Sequence, residues 1–357
     1  MPPSTPASAS PEGRKPLLPE GRKPPLLEVR DLRVSFRTER GLLRAVAGIS
    51  FRIDTHEIVG VVGESGSGKT VSLMSVMGLI NDPNAVIEGS ILYKGRELVG
   101  LSQRQLRSVR GSEIAMIFQD PMTALTPVYT IGWQIEEQIR AHLDLSRRQA
   151  RKRAIELLGE VGIPNPSVTV DRFPHELSGG MRQRGFIAMA LACNPSLLIA
   201  DEPTTALDVT VQAQILELLK KLRRDFGSSI VLITHDLGVV AEIADRVMVM
   251  YGGRIVERGS KRDIFTQPWH PYTWGLHDSI PPLEGARPKR LPSIPGSPPS
   301  LLSLPQGCAF GPRCRFRFVK CSEVPALEGE GEHEAACHLS MEERQRQHAA
   351  RNLRQAS

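Results

Sequence analysis

The sequence predicts an α/β fold followed by a small, loop-rich domain, and three patterns along its 357 residues indicate this arrangement. The run Glu57–Gly63 is apolar after its first residue, as is typical of a strand covered on both faces, and a helix is predicted after it, from Lys69 to about Leu79. Residues Leu27–Phe36 alternate between apolar and polar, which indicates a half-buried strand. After about Pro268, proline-rich segments lead into a cluster of cysteines.

The remaining elements follow in an order that places one main boundary in the chain. Residues 1–26 are rich in Pro and Ser and contain a near duplication, PEGRKPLL and then PEGRKPPLL, so we expect a disordered leader. We predict further strands at Gly48–Ile53, Leu197–Pro203 and Ser229–Asp236, helical structure over 132–160, and a hairpin from Met248 that turns at Gly252 and Gly253. A boundary near residue 265 would divide an ordered core, 27–265, from a C-terminal domain, 266–345, and a tail, 346–357.

The composition is that of a globular protein, with 40% hydrophobic and 24% charged residues. The formal net charge of +6 fits anionic ligands, anionic lipid surfaces or nucleic acid, and does not choose among them. No run approaches the roughly 20 apolar residues that a membrane helix needs. The start of the chain, MPPSTPASAS, lacks the apolar core of a signal peptide. We therefore expect a cytosolic protein that reaches a membrane only through partners.

A phosphate-binding motif, G-x-x-x-x-G-K-[ST], lies between the first apolar strand and the predicted helix. It consists of Gly63, Glu64, Ser65, Gly66, Ser67, Gly68, Lys69 and Thr70. Glycines let successive N–H groups turn inward toward phosphate oxygens, and the helix N-terminus adds partial positive charge. Lys69 would reach the outer phosphates, and the Thr70 hydroxyl would ligate Mg²⁺. The strand–loop–helix context predicts ATP or GTP binding.

Two later strands are predicted to end in residues suited to hydrolysis. Asp201 ends an apolar strand, where a carboxylate can hold Mg²⁺ directly or through water. Glu202 comes next and can position or deprotonate the attacking water. His235 follows another buried strand, where an imidazole could hydrogen-bond the γ-phosphate.

A glycine-rich segment at 177–183 resembles the signature motif of the ABC ATPase family. Its residues are Leu177, Ser178, Gly179, Gly180, Met181, Arg182 and Gln183. The resemblance covers about residues 27–260 and identifies further positions. It implies that Gln119 lies in the loop that touches Mg²⁺ and the membrane partner, that His235 is the switch histidine, and that Phe36 stacks on adenine. The segment that resembles the loop crossing the dimer interface consists of Thr205, Ala206, Leu207 and Asp208.

The signature predicts a second anion site, because Ser178, Gly179 and Gly180 would begin a helix with unpaired N–H groups. In the family, this site faces the γ-phosphate bound by another subunit, so the chain would need a second ATPase chain, identical or related. The resemblance implies a P-loop ABC ATPase core with an antiparallel β subdomain and a helical signature subdomain at about 119–184, plus a small, loop-rich, metal-binding C-terminal domain.

Three segments sharpen the resemblance to the ATPases of oligopeptide and dipeptide importers: Ile117–Pro127, His270–Leu276 and Gly307–Cys314. This implies a peripheral subunit at the cytoplasmic face of the membrane that hydrolyses ATP to power peptide import. Its partners would be a related ATPase, two transmembrane permease subunits and, indirectly, an extracytoplasmic solute-binding protein. The alternatives are import of nickel or another small solute, and a non-transport ABC ATPase that acts on nucleic acid.

Four cysteines lie close together near the C-terminal end: Cys308, Cys314, Cys321 and Cys337. In a reducing cytosol, such a cluster indicates a metal site more readily than disulfides, but the spacing alone leaves zinc, an iron–sulfur cluster and free thiols open. Seven basic and no acidic residues between Gly285 and Ser322 would favour an anionic centre, although a basic surface near the membrane also explains them. The resemblance to peptide-importer ATPases implies a [4Fe–4S] cluster, with Zn²⁺ as the alternative. His333 and His338 could act as substitute ligands, but we predict them to be ordinary surface residues.

Overall fold

The computed structural model of the chain describes residues 24–119, 124–205, 208–279 and 293–355. Most of the predicted leader therefore lies outside the described residues, as do Ala206 and Leu207 of the predicted interface loop. Within the described ranges, no helix is long and apolar enough to cross a membrane.

In the part of the chain that the structure describes, twelve strands form two sheets. They are β1 (Leu27–Thr38), β2 (Gly41–Ile53), β3 (Ile58–Val62), β4 (Ala85–Tyr93), β5 (Arg96–Glu97), β6 (Ile114–Ile117), β7 (Leu197–Asp201), β8 (Ser229–Thr234), β9 (Arg246–Tyr251), β10 (Arg254–Ser260), β11 (Glu328–Glu330) and β12 (His333–Ala335). The antiparallel sheet has the order β2-β1-β4-β5, and the central sheet has the order β11-β12-β10-β9-β3-β8-β7-β6. In the central sheet, β6, β7, β8, β3 and β9 are parallel, so their carboxyl ends share one edge.

The helices between β6 and β7, within residues 131–190, pack against one another and are called the helical group below. The helices of the described ranges are α1 (Lys69–Val76), α2 (Gln103–Arg107), α3 (Ile131–His142), α4 (Arg147–Glu160), α5 (Pro166–Thr169), α6 (Gly179–Ala190), α7 (Val209–Phe226), α8 (Leu237–Ile243), α9 (Lys261–Thr266), α10 (Pro271–Asp278) and α11 (Met341–Gln355). Short 3₁₀ turns lie at Pro174–Glu176, Gly311–Arg313 and Val319–Ser322. The predicted flanking antiparallel sheet and helical insertion are both present.

The region predicted as helical over 132–160 is two helices, because Ser146 starts α4 with its own cap. Its side chain accepts a hydrogen bond from the Gln149 N–H, and the Gln149 side chain accepts one from the Ser146 N–H. Thr130 caps α3 in the simpler way, by accepting from the Trp133 N–H. These polar side chains fix where each helix begins.

The central strands are apolar because both of their faces are covered. In β7, Leu198 and Ala200 pack into the core beneath the helical group, while Leu197 and Ile199 pack into the core between the two sheets. Side chains alternate across a strand, so burial of both faces produces a continuous apolar run. The predicted strands over-ran at their carboxyl ends, where β7 stops at Asp201 and β8 stops at Thr234.

The part of the chain after β10 is called the C-terminal segment below. It extends the central sheet, because β12 pairs antiparallel with β10. Glu257 of β10 is fully buried, and it accepts hydrogen bonds from the N–H groups of Trp269 and His270. The His333 ring of β12 lies 2.9 Å from the Glu257 carboxylate and stacks on Trp269. The prediction that His333 is a surface residue was therefore wrong, since the local sequence does not reveal its partner 76 positions earlier.

Candidate active site

The phosphate loop turns the chain from β3 into α1 with little space around its backbone. Gly68 has a left-handed φ of 98°, and a Cβ there would lie 2.5 Å from the Ala45 carbonyl oxygen. A larger residue would therefore be strained by both conformation and contact. The loop is also tied to the β9–β10 hairpin, because the Gly253 N–H donates to the Ser67 carbonyl at 3.0 Å. Ser65 and Gly66 form the exposed tip.

Lys69 is buried beneath this loop, and its side chain bonds to the loop itself. Its ammonium group donates to the carbonyl oxygens of Gly63 and Glu64 at 2.7 and 3.0 Å. Burial lowers the pKa of Lys69, and the carboxylates of Glu202 and Asp201 oppose that shift. The group is a cation at the start of a helix, so the loop is a site for anionic oxygens.

Asp201 and Thr70 meet across the edge of the sheet. The Thr70 hydroxyl donates to Oδ1 of Asp201 over 3.3 Å, and Asp201 is buried at the end of β7. Burial raises the pKa of Asp201, and the hydrogen bond from Thr70 opposes this. A hydroxyl and a carboxylate beside a phosphate loop are the oxygen ligands that Mg²⁺ takes in nucleotide sites.

The Glu202 carboxylate contacts three other side chains of the site. Its Oε2 accepts hydrogen bonds from Gln119 Nε2 and from Thr205 Oγ1, each at 2.9 Å, and its Oε1 lies 3.1 Å from His235 Nδ1. The residue has a left-handed φ of 47°, which is uncommon for a side chain with a Cβ. Its N–H donates to the Ile233 carbonyl of β8 at 2.9 Å, so the sheet holds it in that conformation.

The carboxylate of Glu202 is held ready as an anion. Burial alone would raise its pKa, but the hydrogen bonds from His235 and Thr205 outweigh burial and lower the pKa below its ordinary value. The side chain keeps 17% exposure, enough for water to reach it. A partly exposed carboxylate beside a phosphate loop can accept a proton from an attacking water.

Most of the signature residues lie at the start of α6. The Ser178 side chain caps the helix by accepting from the Met181 N–H at 3.3 Å, and Ser178 and Gly179 are exposed. This is the predicted helix N-terminus with N–H groups available to an anion. Gln183 lies one turn further, buried, and donates to the Pro203 carbonyl at 3.0 Å. The signature helix therefore contacts the segment that follows Glu202 in the same chain.

The predicted interface loop leads into α7, and its described residues are exposed. Thr205 is exposed although its hydroxyl bonds to Glu202, and Asp208 caps α7 by accepting from the Val211 N–H at 2.9 Å. Val209, next to this cap, is an apolar side chain with 83% exposure.

Phe36, predicted to stack on adenine, lies in β1 of the antiparallel sheet. It is half-buried and packs at the border of the core between the two sheets.

Two residues that contact the phosphate loop were missed by sequence reasoning. The Tyr272 hydroxyl accepts from the Glu64 N–H at 2.8 Å, and the Arg313 guanidinium forms two hydrogen bonds with the Glu64 carboxylate. Tyr272 belongs to the segment His270–Leu276, which the analysis used only as a mark of resemblance. Arg313 was counted among basic residues that would favour an anionic centre, but its charge is paired with Glu64.

The four clustered cysteines line one small cavity, together with Phe310, Phe316 and Leu339 among others. Burial raises the pKa of Cys314 and of Cys337 to about 11, which favours the thiol form over the thiolate. Hydrogen bonding from nearby peptide N–H groups opposes the effect of burial on the pKa of Cys308, Cys314 and Cys337.

The metal site predicted for the C-terminal domain is not formed among the described residues. Across the described residues, no group of three or more His, Cys, Asp or Glu side chains has the arrangement of a metal site. The fold brings the cysteines to one cavity, but its apolar wall disfavours the thiolates that a metal would need. Cys193 lies apart, half-buried against the core of the helical group.

The phosphate loop, the Thr70–Asp201 pair and the Glu202 carboxylate together define a P-loop nucleoside triphosphatase, and the signature helix places it among the ABC ATPases. Residues 46–205 match the model of the ABC transporter family, and residues 256–321 match that of the oligopeptide/dipeptide transporter C-terminal region. The chain belongs to the ABC transporter family of ATP-binding proteins and carries this C-terminal region.

Relatives and solved structures agree with this assignment. The chain is 55% identical over 292 residues to the oligopeptide transport ATP-binding protein OppD of Bacillus subtilis, covering 82% of each. It is 51% identical to a probable peptide ABC transporter ATP-binding protein of Sinorhizobium fredii, covering 89% of this chain and 96% of the relative. Among solved structures, it resembles a dimeric ATP-binding cassette in a post-hydrolysis state with ADP and Pi, with 28% identity, a TM-score of 0.60, and coverage of 66% of this chain and 99% of that one.

Proposed function

We propose that this chain binds Mg²⁺ and ATP at the edge of its central sheet and hydrolyses ATP to power import of dipeptides and oligopeptides through a membrane transporter. The observation that carries the proposal is the Glu202 carboxylate, which gathers Gln119, Thr205 and His235 at a strand end beside the phosphate loop.

Each residue of the site has a distinct task in this reaction. The loop N–H groups and Lys69 bind the phosphates, and Glu202 accepts a proton as the oxygen of water bonds to the γ-phosphorus and the bond to ADP breaks. His235 donates a hydrogen bond to the γ-phosphate, and Phe36 stacks on the adenine. Thr70, Gln119 and Asp201 would hold Mg²⁺, which neutralises charge on the phosphate oxygens when bound.

Two such chains would enclose ATP between them. Ser178, Gly179 and Gly180 would face the γ-phosphate held by the partner, and the segment from Thr205 to Asp208 would cross the interface. The exposed helix start at Ser178 supports this arrangement, and the similar cassette with ADP and Pi is described as dimeric. ATP would stabilise the closed pair, and hydrolysis would remove contacts and reopen it.

The names of the relatives support a proposal for the cargo and the partners. Proteins that share half or more of their aligned residues with this chain are named as peptide transport ATP-binding proteins. We infer the same cargo class here, with a related ATPase and two permease subunits as partners, at the cytoplasmic face of the membrane. Import of nickel and action on nucleic acid remain the alternatives, and none of those names supports either.

We also propose that Cys308, Cys314, Cys321 and Cys337 hold a [4Fe–4S] cluster, with Zn²⁺ as the alternative. The four cysteines line one cavity, which supports this, and hydrogen bonding from peptide N–H groups opposes the rise in pKa that burial causes at three of them. Hydrogen bonds to cysteine sulfurs stabilise thiolates and tune such clusters. The proposed centre would cross-link a loop-rich segment and stabilise it.

Reconstitution tests the cargo. The chain is assembled in proteoliposomes with its permease partners, companion ATPase and solute-binding protein. Uptake of labelled dipeptides, oligopeptides and nickel is then measured with ATP supplied on the side of the membrane that carries the ATPases. We expect ATP-dependent uptake of peptide, and none when the chain carries Glu202→Gln. Uptake of nickel without peptide would replace the proposed cargo, whereas ATP turnover that responds to nucleic acid and to no solute would contradict transport.

A further inference from the structure

Glu64, the second residue of the phosphate loop, is held on three sides. The Tyr272 hydroxyl accepts from its N–H at 2.8 Å, Lys69 Nζ donates to its carbonyl at 3.0 Å, and Arg313 pairs with its carboxylate. Tyr272 and Arg313 both lie beyond the last parallel strand of the central sheet, in the segment that continues toward the cysteines. The C-terminal segment therefore contacts the loop that would hold the phosphates.

The contact between Arg313 and Glu64 is a two-pronged ion pair. One guanidinium nitrogen lies 2.6 Å from Oε2 and the other lies 3.1 Å from Oε1. The Arg313 side chain is only 6% exposed, and its remaining donors bond to the Tyr251 hydroxyl and to the carbonyls of Ile294 and Pro295. Arg313 is thus fixed by several partners, and the paired forks of guanidinium and carboxylate give the strongest form of such a contact.

Because Glu64 is negatively charged, this ion pair should affect nucleotide binding. A carboxylate within an anion-binding loop repels phosphate, and it contributes to the electrostatic environment of Lys69. With Arg313 present, the pair is neutral, and the Glu64 carboxylate is held by the buried guanidinium. Without Arg313, a negative charge would remain inside the loop that receives the triphosphate.

We infer that Arg313 is a positioning residue of the nucleotide site, which neutralises Glu64 and fixes the phosphate loop from the C-terminal segment. The inference rests on the proposed ATP site but not on peptide cargo or on a metal. It extends the nucleotide site to a residue that lies 249 positions from Glu64.

The placement of Arg313 also links two regions of the protein. It ends the 3₁₀ turn Gly311–Arg313 and directly precedes Cys314, and the Gly311 N–H donates to the Cys308 carbonyl at 2.9 Å. The backbone that carries the guanidinium is therefore the backbone that places two of the four cysteines. A shift of that turn would move the cation that pairs with the phosphate loop.

A charge-matched set of variants of the full chain tests the inference: Arg313→Gln, Glu64→Gln and the double variant, with binding of MgATP measured on each. Arg313→Gln should raise the Kd for MgATP roughly tenfold, the size expected for an uncompensated charge near the phosphates. Glu64→Gln should instead lower the Kd, because the cation then faces the phosphates unopposed. The double variant should recover most of what Arg313→Gln loses, and Arg313→Lys should fall between wild type and Arg313→Gln.

Arg258→Gln is the matched control, because Arg258 also joins the ATPase to the C-terminal segment, by an ion pair with Glu334. It should leave the Kd for MgATP unchanged. In the assembled transporter, Arg313→Gln should raise KM for ATP more than it lowers kcat, as expected for loss of binding rather than of chemistry.

Opposite signs for the two single variants distinguish this role from general stabilisation. Equal weakening of MgATP binding by both, or a wild-type Kd for Arg313→Gln, would overturn the inference. If Arg313→Gln does not fold, a raised Kd for Glu64→Gln still contradicts it. Because binding is measured without transport, failure of peptide uptake leaves this result unaffected.

Discussion

The side-chain amide of Gln119 donates a hydrogen bond of 2.9 Å to Oε2 of Glu202. Gln119 lies two residues after the end of β6 and before the helical group, while Glu202 directly follows β7. The same carboxylate oxygen accepts from Thr205 at the start of the predicted interface loop. One carboxylate therefore joins the entry to the helical group with the loop proposed to meet a partner ATPase.

Glu202→Gln should abolish most ATP turnover while leaving ATP binding intact. The amide keeps the size of the side chain but cannot accept a proton from water, and general-base catalysis contributes at least roughly 100-fold. ATP hydrolysis by the assembled transporter and nucleotide binding by the same preparation measure the two effects. Turnover at the wild-type rate would show that Glu202 is not the base.

Thr205→Val should shift the acid limb of the pH dependence of kcat to higher pH. The Thr205 hydroxyl helps to lower the pKa of Glu202, so its removal raises that pKa. As pH falls, the variant would then protonate Glu202 earlier than wild type does and lose activity sooner. Profiles of kcat against pH for both proteins, compared at their alkaline plateaus, measure the shift. An unchanged or acid-shifted limb would contradict the assignment of the titrating group.

Ser178→Arg should impair hydrolysis of the nucleotide bound by the partner while sparing binding to this chain's own phosphate loop. The side chain would place a bulky cation over the exposed start of α6. We expect roughly a 100-fold loss of hydrolysis at the shared site, the scale for loss of a positioned anion site. Nucleotide binding by the separate subunit and hydrolysis by the complex are the paired measurements, and equal loss of both would count against two half-sites.

Cys337→Ser should lower metal content and the Tm of the C-terminal segment. If the four cysteines hold a [4Fe–4S] cluster, protein purified without oxygen should be brown and contain about four irons per chain. Cys193→Ser is the control, because Cys193 packs in the helical group, and it should retain wild-type iron. One zinc per chain in colourless protein would reassign the site, and metal-free protein from cells grown with ample iron and zinc would exclude both.

Some features were predictable because their causes are local. The apolar runs at β3, β7 and β8 follow from burial of both sheet faces, and the hairpin of β9 and β10 turns at the predicted Gly252 and Gly253. The predicted strands extended beyond the observed ends of β7 and β8, because Glu202 and His235 directly follow these buried strands. Their side chains face the site rather than the core, and apolar periodicity alone cannot mark that change.

Other features depended on residues far apart in sequence. His333 is buried because Glu257 and Trp269 surround it, and Arg313 is buried because Glu64 pairs with it. Composition suggested a surface histidine and a basic segment, since each was considered only beside its sequence neighbours. A buried polar residue is explained by its partner, and that partner is supplied by the fold.

The sequence by itself determined the phosphate loop, the two carboxylates at the end of β7 and the signature, because each is a short segment whose spacing and flanking elements carry its chemistry. The tertiary structure alone decided that Gln119, Thr205 and His235 converge on Glu202, that the four cysteines share a cavity, and that Arg313 grips the phosphate loop through Glu64. The parallel strands cause the first of these, since they bring distant strand ends to one edge. The shared cavity and the contact of Arg313 with Glu64 both depend on the C-terminal segment. Its 3₁₀ turn places Arg313 against the phosphate loop and the next residue, Cys314, in the cavity.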